Sequence, residues 1–487
     1  MKLNKTLLCC FLISSFAISL SACQNKQGEV KDDVVEYPNV SDDLEILDGV
    51  GFDYNKAFFD DFTNGVDYDN WIISEDCWGS NKGGLTVKNM FYTDEGTLLM
   101  RATGNYYSGD EIRGYGQVKD GKCTGASLVS KFTTGPGRYQ VRMKPFPRLG
   151  ACTAFWTYSN RPVAGQQEND NHEIDIELPG GTHYGIHSFK YMMNTNYITE
   201  KYMDNSDFVM SEVTNGKIIN LNDGKFHTFG FDWYTNPEVI VYSVDGIVTC
   251  VSDIFVPYLT TRMWLGVWIS FNDAFMGAPN YESDFMEVDW VKYIPFDYTQ
   301  PYTPCTVDQV SISTPRENYP NKPTSHPIVN KIANGDFEYL IRKGQQNDYG
   351  WTYEKFLTES SPLEEVCYAN ETAGKDGTAG AVVSKGGYLH TTVDACYEGY
   401  QYDISFDGKS DGTDSVMEVV YYSSYVPDTN PLKSDFVKLD SADWKNYSTS
   451  ITCPEGCSCI TVEFYNNSRN SSSTLSVDNI KMTKIGQ

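Results

Sequence analysis

The heptapeptide HEIDIEL, residues 172–178, decides how the first half of the chain folds. Apolar and acidic residues alternate in it, which predicts a β-strand with Glu173, Asp175 and Glu177 on one face and aliphatic side chains on the other. Three like charges on one strand face repel one another, so the arrangement is unfavourable unless a site uses or neutralises them. A solvated edge strand would alternate in the same way, but the neighbouring aromatic residues and glycines favour a cleft.

The composition indicates an acidic, β-rich chain of more than one domain. Its 487 residues include 65 Asp and Glu against 38 Lys and Arg, which gives a formal net charge of −27. Proteins that bind nucleic acid present basic patches, so this balance excludes nucleic acid as a partner. The 34 Tyr, 25 Phe and 40 Gly are typical of twisted sheets that are joined by tight turns.

Strand-like runs lie on both sides of a proline-rich segment. In the first half, runs such as 97–102, 138–144 and 239–246 are separated by Gly, Asn and Asp, which predicts an antiparallel sandwich. We therefore predict an all-β fold with a β-sandwich followed by a second, smaller β-sandwich. The predicted boundaries are 49–296 for the first domain, 297–327 for a proline-rich linker and 328–487 for the second domain.

The N-terminus has the pattern of an export signal. In segment 1–22, two lysines precede a short apolar run and small residues, and the sequence LSAC at 20–23 resembles a bacterial lipobox. The resemblance implies that Cys23 is lipidated and that the protein is an exported outer-membrane lipoprotein, exposed at the cell surface. Residues 23–48 would form a flexible tether. An ordinary signal peptide with a chance cysteine is the alternative.

Ten cysteines follow Cys23, and an exported protein would permit disulfides between them. Their connectivity cannot be derived from spacing. The run Cys453-x3-Cys457-x-Cys459 has the look of a metal site, but no histidine follows nearby and the flanking residues are strand-like. We expect free or paired thiols there.

The acidic strand carries the pattern Glu-x-Asp-x-Glu and resembles glycoside hydrolase family 16, in the form without a bulge. The resemblance covers about residues 50–296 and implies a β-jelly-roll catalytic domain. It also implies roles, with Glu173 as nucleophile, Asp175 as assisting residue and Glu177 as general acid/base. Further segments match the family in order: FDDF at 59–62, SLVSKF at 127–132, GRYQVRMK at 137–144 and VDWVKY at 288–293.

The spacing of these carboxyl groups has a chemical requirement. Retaining glycosidases hold nucleophile and acid about 5–5.5 Å apart. Residues four apart on a flat strand are about 13 Å apart at Cα, so a curved sheet and long Glu side chains must close the gap. The charge of Asp175, or a proton that it shares, would keep the pKa of the acid raised.

Aromatic residues near the acidic strand are candidates for a sugar platform, because aromatic rings stack on the apolar faces of pyranose rings. We take Trp78, Trp156, Trp264 and Trp268 as these candidates, although core packing is an equal alternative for each. In family relatives the position of Asp289 is a ligand of a structural calcium, which the resemblance implies here. No cofactor is expected for catalysis.

The C-terminal block resembles carbohydrate-binding modules of the family 4/9 kind, from NGDFE at 334–338 to VDNI at 477–480. The resemblance makes Glu338 and Asp478 candidate ligands of a second structural calcium. Candidate sugar contacts are Trp351, Tyr388 and Trp444. The alternative is an accessory sandwich that binds nothing.

These observations predict an endo-acting, retaining β-glycan hydrolase whose partner is a polysaccharide. Acidic charge near the cleft disfavours sulfated or uronate-rich chains, so a neutral β-glucan (β-1,3 or mixed β-1,3/1,4) is the first expectation. A galactan or a host poly-N-acetyllactosamine chain is the alternative substrate. A transglycosylase and a non-catalytic glycan-binding lipoprotein are further alternatives. Other surface glycan-uptake proteins are possible partners.

Overall fold

The fold is nearly all β, as the alternating patterns predicted. We describe it from a computed structural model, in which two single-turn α-helices (α1, Asp273–Met276; α2, Leu363–Val366) accompany the strands. No described helix is both long and apolar enough to cross a membrane. The residues described are 44–77, 81–109, 122–161, 170–179, 189–197, 203–209, 221, 223–253, 255–271, 273–298, 326–339, 347–348, 350–412, 414–423, 430–467 and 472–485.

Sixteen of the described strands build the first sandwich, in two antiparallel sheets. They are β1 Val50–Phe52, β2 Phe58–Asp60, β3 Trp71–Ile73, β4 Met90–Tyr92, β5 Leu98–Thr103, β6 Ala126–Ser130, β7 Gly137–Lys144, β8 Cys152–Arg161, β9 Asp170–Pro179, β10 Phe189–Tyr197, β11 Met203–Val209, β12 His227–Thr235, β13 Glu238–Val244, β14 Ile247–Ser252, β15 Arg262–Trp268 and β16 Ser283–Tyr298.

One sheet of the first sandwich has the order β14-β13-β12-β7-β16-β5-β4, and β1 and β2 also pair with β16. The other sheet has the order β11-β10-β9-β8-β15-β6-β3. The facing sides of the two sheets meet in one hydrophobic core, where Ile174 and Ile176 of β9 pack with side chains such as Phe155 and Phe231. The arrangement is a β-jelly-roll sandwich, in agreement with the predicted fold class.

The second, smaller sandwich has its own core around Trp351, Phe406 and Phe464. Its sheets have the orders β17-β18-β21-β26-β23-β24 and β19-β20-β27-β22-β25. The strands are β17 Asn347–Asp348, β18 Trp351–Lys355, β19 Cys367–Asn370, β20 Gly380–Ser384, β21 Gly387–Asp394, β22 Gln401–Ser410, β23 Ser415–Tyr422, β24 Lys433–Leu439, β25 Lys445–Thr452, β26 Cys459–Asn466 and β27 Thr474–Lys484.

Two crossed ion pairs join the sandwiches, which belong to one compact unit. Arg148 Nε lies 2.5 Å from Asp394 Oδ1, and Lys331 Nζ lies 2.5 Å from Asp284 Oδ2. Each sandwich therefore supplies one cation and one anion. All four side chains are at most 9% exposed, so these two ion pairs are largely shielded from water. Tyr400 adds a hydrogen bond from its phenol to the Gly224 carbonyl, at 3.2 Å.

The predicted domain boundaries stay predictions. Strand β16 continues to Tyr298, two residues past the predicted end of the first domain. At the other end Arg138 donates a hydrogen bond to the Leu44 carbonyl at 2.8 Å, so the last part of the predicted tether contacts the sandwich. The signal segment and most of the linker lie outside the described residues.

Candidate active site

Strand β9 lies inside the seven-stranded sheet, between β10 and β8. Ile174, Ile176 and Leu178 of this strand are fully buried in the main core. Because side chains alternate along a strand, the three acidic residues between and beside them project from the opposite face of the sheet. The predicted strand, and the separation of its two faces, are confirmed.

Water is excluded from the middle of this acidic row. Asp175 is 2% exposed, its side chain is hydrogen-bonded to that of Glu173, and its Oδ2 has no hydrogen-bond partner among the described residues. Burial, followed by the negative charges of Glu173 and Glu177, raises the pKa of Asp175 well above its usual value. The raised pKa favours the protonated form of Asp175, which can donate the hydrogen bond to Glu173.

Glu177 is the second protonated group. Burial raises its pKa to about 8, and the charge of Glu173 adds to the effect. The two neighbouring carboxyl groups thus leave Glu173 as the carboxylate that carries the negative charge. One ionised carboxylate beside a protonated carboxylic acid is the combination that retaining glycoside hydrolysis uses.

The neighbouring strands supply aromatic side chains to the same face. In the register of β8 and β9, Tyr158 lies opposite Glu173 and Trp156 lies opposite Asp175. Trp156 stacks on Trp264 of β15, with ring centroids 5.5 Å apart and planes inclined by 19°. Both indoles are at most 7% exposed, which accounts for part of the burial of the acidic row.

The predicted sugar platform is only partly described. Trp268 is half-buried and lies 6.5 Å from Phe275, centroid to centroid. Trp78 lies outside the described residues. The structure brings Trp156 and Trp264 together beside Asp175, and a role in sugar binding stays a prediction for all four tryptophans.

The residues beside Glu177 on β8 and β15 have small side chains or none. Ala154 lies opposite Glu177 in the register, and Gly266 of β15 lies opposite Ala154. A Cβ added to Gly266 would lie 2.4 Å from the Ala126 carbonyl oxygen, so the close approach of the strands requires glycine there. Glu177 therefore has small residues beside it on β8 and β15, whereas Asp175 lies opposite the indole of Trp156.

The sequence analysis missed two polar side chains on this face. Tyr158 of β8 lies opposite Glu173, and Arg262 of β15 lies opposite Tyr158. The three side chains are therefore neighbours across adjacent strands. Arg262 donates to the carbonyl of Ser130 at 2.9 Å and to that of Lys131. Tyr158 is two and four residues from Trp156 and Ala154, so the alternation along β8 could have identified it.

The predicted calcium ligands are engaged by other groups of the chain. Asp289 forms an ion pair with Arg142 at the bulge between Val288 and Trp290 in the β16–β7 pairing. Asp478 accepts hydrogen bonds at its Oδ2 from the Lys375 amide at 2.9 Å and the Thr378 hydroxyl at 3.0 Å.

Glu338 is exposed. Among the described residues, no group of three His, Cys, Asp or Glu is placed to hold a metal ion. Calcium also binds backbone carbonyls, so both calcium sites stay predictions.

The candidate sugar contacts of the second sandwich separate by burial. Trp351 is 1% exposed and donates its indole N–H to the Asn334 carbonyl at 3.0 Å, so it belongs to the core. Trp444 is half-buried beneath Lys409, whose Nζ lies 4.9 Å from the ring centre. Tyr388 lies on the outer face of the six-stranded sheet, where it stacks between Phe356 and His390.

Sequence comparisons point in the same direction as the acidic strand. Residues 86–264 match the family model described as glycosyl hydrolases family 16. A beta-glucanase of Paenibacillus macerans is 27% identical over 239 residues, which cover 48% of this chain and 87% of that protein. A beta-glucanase of Paenibacillus polymyxa is 30% identical over 169 residues, which cover 33% of this chain and 59% of that protein.

Solved structures are also similar to about half of the chain, and one of them is a bacterial beta-glucanase. The Bacillus licheniformis beta-glucanase is 23% identical, and the alignment covers 49% of this chain and 97% of that one with a TM-score of 0.36.

The acidic strand and the sequence matches together define a glycoside hydrolase. The match is local, because it begins before β4 and ends within β15. Residues 86–264, which contain the Glu-x-Asp-x-Glu pattern, are the part of the chain that matches glycosyl hydrolases family 16. The match supports the family resemblance of that pattern for this part of the chain.

Proposed function

We propose that this protein is an endo-acting, retaining hydrolase of a neutral β-glucan with β-1,3 or mixed β-1,3/1,4 linkages. The observation that carries the mechanism is the placement of Glu173, Asp175 and Glu177 on one face of β9, where burial and the charge of Glu173 raise the pKa of Glu177 to about 8. An inverting enzyme would instead need a base that activates water on the far side of the sugar.

Two displacements follow from this arrangement. Glu177 donates its proton to the glycosidic oxygen while the Glu173 carboxylate attacks the anomeric carbon, which forms a covalent glycosyl-enzyme and releases the leaving chain. Glu177, now ionised, removes a proton from water, and the water releases the sugar from Glu173. Asp175 holds the Glu173 carboxylate in position through their hydrogen bond.

The choice of a neutral glucan has two supports. The cleft face carries the negative charge of Glu173, and a like charge repels sulfated or uronate-rich chains. The two Paenibacillus relatives are both named beta-glucanase.

Product analysis on a panel of glycans tests the proposal. The full chain in detergent is incubated with laminarin, mixed-linkage glucan, galactans and mucin O-glycans, beside Glu173→Ala. We expect oligosaccharides from one of the two glucans, with retained anomeric configuration by NMR, and none from Glu173→Ala. Products from a galactan or a mucin glycan would contradict the substrate. Inverted products would contradict the mechanism.

We also propose that the chain is exported and anchored in the outer membrane through a lipid on Cys23. The support is the order of charged, apolar and small residues in 1–22, followed by cysteine. Mass spectrometry of the N-terminal peptide from purified membranes tests this directly. A mature N-terminus other than an acylated Cys23 would contradict the proposal.

For the second sandwich we propose glycan binding on the outer face of the six-stranded sheet. A groove of about 730 Å³ follows this face and is lined by Tyr388, Tyr465, Glu354 and Glu463, among others. Tyr388 and its stacked neighbours offer ring faces to a sugar, and the carboxylates can accept hydrogen bonds from sugar hydroxyls. The chemistry suits an uncharged glycan.

A further inference from the structure

Three buried thiols meet at one end of the second sandwich. Cys396 follows β21, and Cys453 and Cys457 lie in the connection between β25 and β26. Their side chains are 0%, 2% and 5% exposed. Cys453 occupies the middle, because its thiol interacts with the thiols of both Cys396 and Cys457.

Backbone hydrogen bonds hold the two connections against each other. The Gly399 amide donates to the Cys453 carbonyl at 3.0 Å, and the Cys453 amide donates to the Tyr400 carbonyl at 2.9 Å. The Cys396 amide donates to the Ser458 carbonyl at 3.1 Å. These hydrogen bonds join the β21–β22 connection to the β25–β26 connection. The backbone therefore fixes the positions of the three cysteines relative to one another.

The thiols of Cys396 and Cys457 each donate to a backbone carbonyl. Cys396 Sγ lies 3.7 Å from the Asp394 carbonyl oxygen and Cys457 Sγ lies 3.5 Å from that of Cys459, each as a hydrogen-bond donor. A metal site would need the sulfur atoms to converge as thiolates. The described thiols do not form such a group.

We propose that this thiol cluster carries one disulfide in the exported protein, with Cys453 as the obligatory partner and Cys396 and Cys457 as alternative second partners. The inference rests on the proposed export, because oxidising compartments preserve disulfides. Because the central sulfur of Cys453 can bond to only one of its two neighbours at a time, one of the three thiols always remains.

Formation of the bond is a two-electron oxidation. Two thiols lose two protons and two electrons to the disulfide of a thiol oxidoreductase, or to oxidised glutathione in the test tube, which becomes two thiols. Exchange within the cluster needs no further oxidant. The remaining thiolate, for example that of Cys457, attacks Cys453 Sγ and releases Cys396 as a thiolate, which takes up the proton.

The two alternative bonds differ in what they constrain. A Cys396–Cys453 bond links positions 57 apart and ties the β21–β22 connection to the β25–β26 connection. A Cys453–Cys457 bond closes a turn between positions four apart. Because longer loops lose more entropy on closure, the first bond stabilises the sandwich more.

Peptide mapping under non-reducing conditions tests the proposal. The full chain is purified in detergent with a reductant, oxidised with oxidised glutathione, alkylated in denaturant and digested. We expect a Cys453 peptide that either is cross-linked to the Cys396 peptide or has lost two hydrogens through a bond to Cys457. Alkylation of all three cysteines after oxidation would overturn the proposal.

Single variants identify the central sulfur. Cys396→Ser should retain the Cys453–Cys457 bond, and Cys457→Ser should retain the Cys396–Cys453 bond with the higher melting temperature of the two. Cys453→Ser should lose both bonds. A Cys396–Cys457 bond in that variant would overturn the assignment. Cys367→Ser is the matched control, because Cys367 is equally buried and its thiol bonds to the Tyr388 carbonyl.

The design separates this proposal from the others. Oxidation in the test tube reports on the cluster even if the chain is not exported, and glycan hydrolysis is measured on the same samples. If Cys453→Ser does not fold, the pairings in Cys396→Ser and Cys457→Ser still decide the outcome, since both must contain Cys453.

Discussion

Two sheet faces of this protein each carry a row of three acidic side chains, and the environments of the two rows are opposite. On the cleft face, Glu173, Asp175 and Glu177 belong to the single strand β9, and the Oδ2 atom of Asp175 has no hydrogen-bond partner among the described residues. On the outer face of the six-stranded sheet, Glu354, Glu418 and Glu463 lie on three different strands.

On that outer face each carboxylate accepts a hydrogen bond from a neighbouring hydroxyl. Tyr388 donates to Glu354, Tyr465 donates to Glu418 at 2.9 Å, and Thr461 donates to Glu463 at 2.7 Å. Burial and the nearby Glu354 raise the pKa of Tyr388, which keeps the phenol protonated as a donor.

The difference teaches how similar residues acquire different roles. A carboxyl group that is desolvated next to another acid holds a proton near neutral pH and can transfer it. A carboxylate that accepts a hydrogen bond from a hydroxyl group is stabilised in its charged form, and it can orient aromatic rings and bind ligands. The two faces differ in their hydrogen-bond donors and in their access to water, whereas both carry the same kind of acidic residue.

The largest effect that we expect follows from removing the proton donor on the cleft face. Glu177→Gln should lower kcat by about 10²–10⁴, because an amide cannot supply the proton that the leaving oxygen needs. Reducing-end assays on the best glucan of the panel measure the change. Glu463→Gln is the matched control on the outer face, and an equal loss there would break the comparison.

The next effect concerns the junction that keeps both faces in one folded unit. Asp394→Asn leaves Arg148 buried without its counter-charge and should lower the free energy of unfolding by about 3–5 kcal/mol. Urea unfolding followed by tryptophan fluorescence measures it. Asp440→Asn, which removes the exposed partner of Lys445, should change stability by less than about 1 kcal/mol. Similar changes in stability for the two variants would contradict a strong contribution of the buried Arg148–Asp394 pair.

The pH dependence sharpens the assignment of Glu177. Its protonated form is the active one, so kcat/KM should fall about tenfold per pH unit above a pKa of about 8. A profile that falls from pH 5 upward would contradict the protonated acid.

Folding stability has a matching sign. The folded pKa of about 8 lies above the usual 4.5, so the folded state binds the proton more tightly and stability declines as pH rises between these values. Glu177→Gln should flatten this decline in unfolding experiments.

The smallest effect concerns the aromatic residues of the outer face. Tyr388→Ala should weaken retention on insoluble glucan by about two- to tenfold, because one stacked ring contributes about 0.5–1.5 kcal/mol. Hydrolysis of a soluble substrate should not change. Tyr388→Phe keeps the ring and removes only the bond to Glu354, so retention should be largely preserved. Unchanged retention in Tyr388→Ala would argue against glycan binding on this face.

The sequence could predict the cleft face because its information is local. A period of two in 172–178 places the three acids on one side of a strand, and the Glu-x-Asp-x-Glu pattern indicates their chemistry. The alternation could not tell which neighbours cover a given aromatic residue. Trp156 and Trp264 are therefore found stacked and buried, although they were candidates for an open platform.

The outer face and the junction were beyond local reasoning. Glu354, Glu418 and Glu463 come together only through the order β18-β21-β26-β23. Arg148 and Asp394 are 246 positions apart, and no local pattern signals that they meet. Pairings of this kind depend on sheet topology, which spacing along the chain does not encode.

The crossed ion pairs of the junction have an evolutionary consequence. Modules on long linkers can be exchanged between enzymes, because neither partner depends on the surface of the other. Here, a gene fusion that replaced the second sandwich would leave Arg148 and Asp284 buried without Asp394 and Lys331. Such a chimera would begin with a folding defect. We therefore expect relatives that keep this junction to retain both sandwiches together.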